Sequence, residues 1–262
     1  MSFWAKSFVF DNVPSETFGL FIISEGAAGV LQNTGSSSVN LYTQEIYRRP
    51  KPYLFGTQQT PTLSFDLIFA SLTPLSAYEQ QAVQKWLFGY NTYKTLQIMQ
   101  CDMDDIYFNC ILNEPTVTTV GNFAYEIKCT VICDAPWAWE YPKTQTFGPF
   151  NVEGTFNFDN TSDDNYYMFP TMTVTLSDHS NSFQIINTTD NSSTCTFTGL
   201  SPSEVLTINS DKYIISSSTG LLRVANMSGI LPRMVPGYNN FQVNGTINSI
   251  VISYQNARKV SA

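Results

Sequence analysis

The stretch Leu63–Leu87, LSFDLIFASLTPLSAYEQQAVQKWL, carries two different periods in one run. In its first part Leu63, Phe65, Leu67 and Phe69 alternate with Ser64, Asp66 and Ile68, the two-residue period of a mostly half-buried strand. After Pro74 the period lengthens. Leu75, Tyr78, Ala82, Val83, Trp86 and Leu87 recur three and four apart, which puts them on one stripe of a helix. Ser76 and Glu79 have the capping-box spacing, Pro74 suits the run-in, and Gly89 is placed to stop the helix in a left-handed turn. A helix over about residues 75–88 is expected, with its apolar stripe on a sheet. No other segment makes a convincing helix, so the chain is read as mainly β.

On either side the strand period returns. Ile106, Phe108, Cys110 and Leu112 alternate, and so do Tyr125, Ile127, Cys129, Val131 and Cys133, with Glu126, Lys128 and Thr130 on the other face. Asp102–Asp105 lies between apolar runs and reads as a hairpin turn. Ser24–Asn40, SEGAAGVLQNTGSSSVN, reads as a loop or an arm that orders only against a partner. Farther on, Met172, Val174 and Leu176 alternate with threonines. Phe183–Ile186, Cys195–Phe197, Val205–Ile208, Tyr213–Ile215, Leu221–Val224 and Ile247–Tyr254 follow, separated by turn residues such as Asp190-Asn191, Asn209-Ser210, Thr219-Gly220 and Pro236-Gly237. Short strands at this spacing suggest a sandwich or jelly roll.

Pro136, Pro142 and Pro149 punctuate an aromatic segment where composition changes. Residues 1–142 hold all four tryptophans, whereas 143–262 hold fourteen of the twenty-one asparagines. Two domains are expected, 1–142 with the helix and 143–262 all strand.

Charged residues make up 13% of the 262-residue chain, about half the usual ~25%. That suits a β-rich protein whose surface is partly covered by partners. The net charge of −8 argues against unaided nucleic-acid binding. Gly19–Ile23 is far too short for a signal core or a membrane span, and the chain reads as made in the cytosol. Five cysteines without a signal argue against a disulfide framework, and Cys129 and Cys133 read as small core hydrophobes. The sequons at Asn160, Asn187, Asn191, Asn226 and Asn244 read as chance matches in an Asn/Ser/Thr-rich tract.

Motifs for catalysis are sparse. His179, the single histidine, is flanked by Asp178 and Ser180 along the chain, but a triad needs members that converge in space, so the stretch reads as a polar turn. One histidine and scattered cysteines do not make a zinc site. Asp102, Asp104 and Asp105 lack the calcium-loop pattern and read as a solvated turn. Neither catalytic residues, nor a cofactor, nor a metal site is expected. Tyr166, Tyr167 and Phe169 are the only local stand-ins for a sugar-stacking platform in a half that lacks Trp. Arg48, Arg49 and Lys51 form the one basic cluster; it reads as a solvated loop edged by Pro50 and Pro52, or as a contact for an acidic neighbour or passing DNA.

Several stretches together resemble siphophage distal tail (Dit) proteins: SFVFDNVPSETFGLFIIS (Ser7–Ser24), YRRPKPYLFGTQQTPTLSFDLIFA (Tyr47–Ala70), the helix at Pro74–Leu87, and DAPWAW (Asp134–Trp139). FTGLSPSEVLTINSDKYIISSSTGLLR (Phe197–Arg223) and LPRMVPGYNNFQVNG (Leu231–Gly245) resemble that family's galectin-like domain. The resemblance spans essentially the whole chain and rests on the order of these motifs. It implies an N-terminal ring-forming β domain with one packed helix and a C-terminal galectin-like β-sandwich. It further implies a non-enzymatic hexameric hub around the DNA channel at the distal end of the virion tail. Its partners would be the tail tube, the tail-tip protein and receptor-binding proteins, with DNA only as passing cargo and no membrane insertion. The alternatives are another baseplate or tailocin structural protein, a carbohydrate-binding tail adhesin, and a glycan-degrading enzyme.

Overall fold

The computed structural model describes residues 7–23, 39–59, 62–101, 103–120 and 123–260. Most of the Ser24–Asn40 segment, and Asp102, lie outside the described residues. The fold is mainly β, with two compact units: Met1–Glu140 with Arg258–Ala262, and Tyr141–Ala257.

The first unit contains β1 (Phe8–Phe10), β2 (Val13–Pro14), β3 (Leu20–Ile23), β4 (Val39–Gln44), β5 (Tyr53–Gln59) and β6 (Ser64–Leu75), then α1 (Ala77–Leu87). After the helix come β7 (Lys94–Ile98), β8 (Ile106–Val120), β9 (Phe123–Cys133) and β10 (Ala138–Glu140). One sheet runs in the order β2-β1-β7-β8-β9-β6-β3, with β10 also on β8. The alternation read from the sequence becomes register here. Leu67 faces Cys129, Phe69 faces Ile127, Leu112 faces Val131 and Cys110 faces Cys133. All of these are buried in one core.

Helix α1 is closed at its start by a full capping box. The Ser76 Oγ accepts from the Glu79 N–H at 3.3 Å, and the Glu79 carboxylate accepts from the Ser76 N–H at 2.8 Å. Its buried stripe is narrower than the spacing predicts. Leu75 is buried but still belongs to β6, and Tyr78 and Ala82 are exposed. Only Val83, Trp86 and Leu87 reach the sheet, because the helix lies down on it along its second half. Trp86 is the anchor. Its indole stacks on Phe18 (centroids 4.6 Å apart) and Phe8 (5.8 Å), and its N–H donates to the Phe10 carbonyl at 3.1 Å.

The second unit contains β11 (Lys143–Phe147), β12 (Glu153–Asn160), β13 (Thr171–Leu176), β14 (Phe183–Asn187), β15 (Ser193–Phe197), β16 (Val205–Asn209), β17 (Ile214–Ser217), β18 (Met227–Gly229), β19 (Gly237–Asn244) and β20 (Ile247–Tyr254). They form two five-stranded sheets, β11-β20-β13-β16-β17 and β12-β19-β14-β15-β18. The sheets face each other across a single core. Phe147 of the first stacks on Phe156 of the second at 4.4 Å, and Tyr254 meets Phe158 edge-on at 4.8 Å. This is a β-sandwich.

Three segments differ from expectation. Strands β12 and β19, paired from Glu153–Asn244 to Asn160–Gly237, form the edge and the second strand of their sheet but carry few apolar residues. Conversely, Leu221–Val224 is not a strand. It is a loop running into a 3₁₀ turn at Val224–Asn226, with Leu221, Leu222 and Val224 exposed and Arg223 buried.

Candidate assembly surface

Strands β4 and β5 pair with each other and with no other strand among the described residues. A lone two-stranded ribbon is marginal in water, so something must cover it. Every residue from Asn40 to Phe55 is exposed. The exposed side chains include Leu41, Tyr42, Ile46, Tyr47, Tyr53, Leu54 and Phe55, with Tyr47 at 86% and Phe55 at 71%. None belongs to the core of the first unit. A run of seven large apolar side chains on one exposed ribbon makes it the candidate interaction surface of this unit.

The tip of this ribbon carries the basic cluster. The turn Ile46–Arg49 is closed by the Arg49 N–H donating to the Ile46 carbonyl at 3.0 Å. It places Arg48 at φ +67°, a conformation that side-chain-bearing residues seldom adopt. The Arg48 guanidinium lies over the Tyr47 ring at 5.2 Å, and Arg49 lies over Tyr53 at 5.3 Å while donating to its hydroxyl. The sequence placed Arg48, Arg49 and Lys51 in a loop; the structure makes them the end of a hairpin.

The aromatic candidates of the second unit have other duties. Tyr167 donates its hydroxyl to Asp190 at 3.2 Å, and the Arg233 guanidinium covers its ring at 4.1 Å. Arg233 also donates to Asp190 at 2.7 Å. Burial pushes the Asp190 carboxyl up, but hydrogen bonds from Arg233, Ser193 and Tyr167 and the Arg233 charge outweigh it and hold it below the usual range. Tyr167 is therefore a strut, with one face already occupied, while Tyr166 and Phe169 stand exposed beside it.

The strongest polar node in that unit is Glu204 with Arg223. The guanidinium donates to both carboxylate oxygens, at 2.7 and 2.6 Å, and to the Gly199 carbonyl at 3.1 Å. Ser201 N–H and Ser217 Oγ donate to the same carboxylate. Burial again pushes Glu204 up, and these donors and the Arg223 charge hold it down at about 2. The pair fixes a loop.

The remaining candidates do not converge. His179 is exposed and reaches only its neighbour Asp178, at 3.4 Å, while Ser180 donates to the Ser182 carbonyl. Asp104 and Asp105 are exposed on the turn between β7 and β8. Among the described residues no group of three or more His, Cys, Asp or Glu is placed to hold a metal ion. Cys110, Cys129, Cys133 and Cys195 are buried free thiols, and Cys101 is exposed.

Two family models cover the chain: a phage tail protein N-terminal domain over residues 3–135 and a phage tail C-terminal domain over residues 137–254. No curated protein matches it by sequence. Among solved structures, the crystal structure of the SPP1 Dit (gp 19.1) protein is similar at 10% identity with a TM-score of 0.71, covering 95% of this chain and 98% of that one. That protein is described as a paradigm of the hub adsorption apparatus in phages infecting Gram-positive bacteria. A chain of the phage p2 baseplate in its activated conformation is similar at 10% identity with a TM-score of 0.53, covering 97% of this chain and 99% of that one. The order of motifs in the sequence, the two family models and the shared two-unit fold agree, and the chain belongs to the phage tail protein family, with the fold of a Dit protein.

Proposed function

We propose that this protein is the distal tail hub of a siphophage, a structural subunit without catalytic activity, cofactor or metal. Six copies close into a ring between the tail tube and the tail-tip or baseplate proteins, at the distal end of the tail. DNA passes through the ring as cargo, and receptor-binding proteins attach at its periphery. The first unit builds the ring. The second is a galectin-like sandwich. Synthesis is in the host cytoplasm.

The observation that carries this reading is the uncovered β4–β5 ribbon. A ring requires a heterologous contact, in which one patch meets a different patch on the next copy. An apolar ribbon that pairs with no other strand among the described residues is suited to reach across such a joint. The fold shared with a hub protein supports the same reading. The adhesin alternative relied on Tyr166 and Tyr167, and Tyr167 is already held by Asp190 and Arg233.

The test compares wild type with the double variant Leu54→Ser, Phe55→Ser by light scattering. Wild type is expected to form a multimer and the variant a monomer with unchanged melting. A variant that assembles like wild type would remove the ribbon from the account.

A further inference from the structure

We infer, building on the ring reading, that the hairpin tip of one copy docks on the β7–β8 turn of the next, with Arg48, Arg49 and Lys51 facing Asp104 and Asp105. The ribbon explains why copies adhere; the tip explains which patch meets which.

Three observations support the pairing. First, the tip concentrates charge of one sign. Residues 45–52 hold three of the thirteen basic residues and a single acid, Glu45, on a chain whose net charge is −8. The body that a tip can meet is therefore strongly acidic. Second, both partners are uncommitted. Arg48, Arg49 and Lys51 make no ion pair among the described residues, and neither do Asp104 and Asp105. Three other acids of the first unit are engaged, Asp11 with Lys94, Asp66 with Lys128 and Glu140 with Arg258, whereas Glu16, Glu114 and Glu126 are unpaired among the described residues but stand singly. Asp104 and Asp105 are two adjacent exposed acids on one turn. Third, the tip is built for presentation. Arg48 is kept at φ +67° and both arginines rest on tyrosine rings, so the cations are held in place before any partner arrives.

A basic tip meeting an acidic turn on the next copy is a heterologous contact that repeats around a ring. The partner is a second copy and not nucleic acid, because a polyanion approaching the tip also meets the acidic body behind it.

The experiment uses two variants of the full chain: R48E/R49E/K51E, with the tip reversed, and D104K/D105K, with the turn reversed. Each alone places like charges at every joint, and its apparent assembly concentration is expected to rise more than about tenfold. Mixed in equal amounts they restore opposite charges at every joint of a ring in which the two variants alternate, so the mixture is expected to form rings that neither forms alone. Wild-type rings should weaken in ~1 M salt, where the Debye length is about 3 Å.

Rings from both single variants at all salt concentrations would overturn the inference and leave the ring reading standing. Failure of the mixture, with both variants melting like wild type, would overturn the pairing. Tip-reversed protein that assembles normally but loses affinity for duplex DNA would transfer the tip to nucleic acid. A wild type that stays monomeric at every concentration and with tail tube and tail-tip proteins present would remove the ring reading, and the inference with it.

Discussion

Arg223 lies between two exposed leucine and valine side chains, yet its guanidinium is buried and bidentate on Glu204, at 2.7 and 2.6 Å. A charge pair that is 8% and 0% exposed contributes little net stability over an apolar pair, but removing one member strands the other. Here it anchors an irregular loop to the sheet edge at β17.

Arg223→Ala is therefore expected to cost about 3–5 kcal/mol in the second unit, read as a shift of its denaturant midpoint. Arg223→Met with Glu204→Leu should recover a large part of that loss. Equal loss in the single and double variants would show that the pair acts only through packing.

The same pair sets an acid limit. The Glu204 pKa is held at about 2 in the folded protein, below the 4.5 of a free glutamate side chain. Its contribution is fully present above the unfolded pKa and is lost as pH falls from about 4.5 toward 2. Asp190, also lowered, acts in the same direction. Melting temperature measured across this range should fall more steeply for wild type than for Glu204→Gln. Parallel curves would contradict the assignment.

Much of this fold was legible in the chain, and the exceptions share a cause. The capping box Ser76–Glu79 and the alternation at Leu63–Phe69 and Tyr125–Cys133 could be read because one face of each element is buried. Strands β12 and β19 were not visible because their cores rest on Phe156, Phe158, Phe241 and Val243 among asparagines and other polar residues. Leu221–Val224 misled for the opposite reason: its apolar residues face out and its arginine faces in. The β4–β5 ribbon showed no period because residues 40–55 are exposed on both of its faces. Of the candidate site residues, the basic cluster was visible as composition, but its place at a hairpin tip was not. The pairing of Tyr167 with Arg233 joins residues 66 positions apart in the sequence, which no local pattern reports.

Trp86 joins the helix to the sheet through stacking and through its hydrogen bond to Phe10. Trp86→Ala should destabilise the first unit by about 3–5 kcal/mol, and Trp86→Phe by less, since it keeps a ring against Phe18. Ser76→Ala removes half of the capping box and should cost about 1 kcal/mol. Denaturant titration followed by circular dichroism measures all three.

The thiols should separate sharply. Burial pushes Cys129, Cys133 and Cys195 up to about 12 and Cys110 higher still, so none presents a thiolate at neutral pH. A thiol-reactive dye is expected to label Cys101 alone in the native protein, and all five cysteines in denaturant. Rapid native labelling of Cys110 or Cys129 would contradict the packing of the β8–β9 core.

The most direct measurement is the mass of the purified wild-type protein by light scattering, with negative-stain images of the same fraction. The account predicts a species near six times 29.4 kDa, seen as rings with a central hole and outward lobes. A monodisperse 29.4 kDa species, with no rings at any protein concentration or in the presence of tail tube and tail-tip proteins, would contradict it.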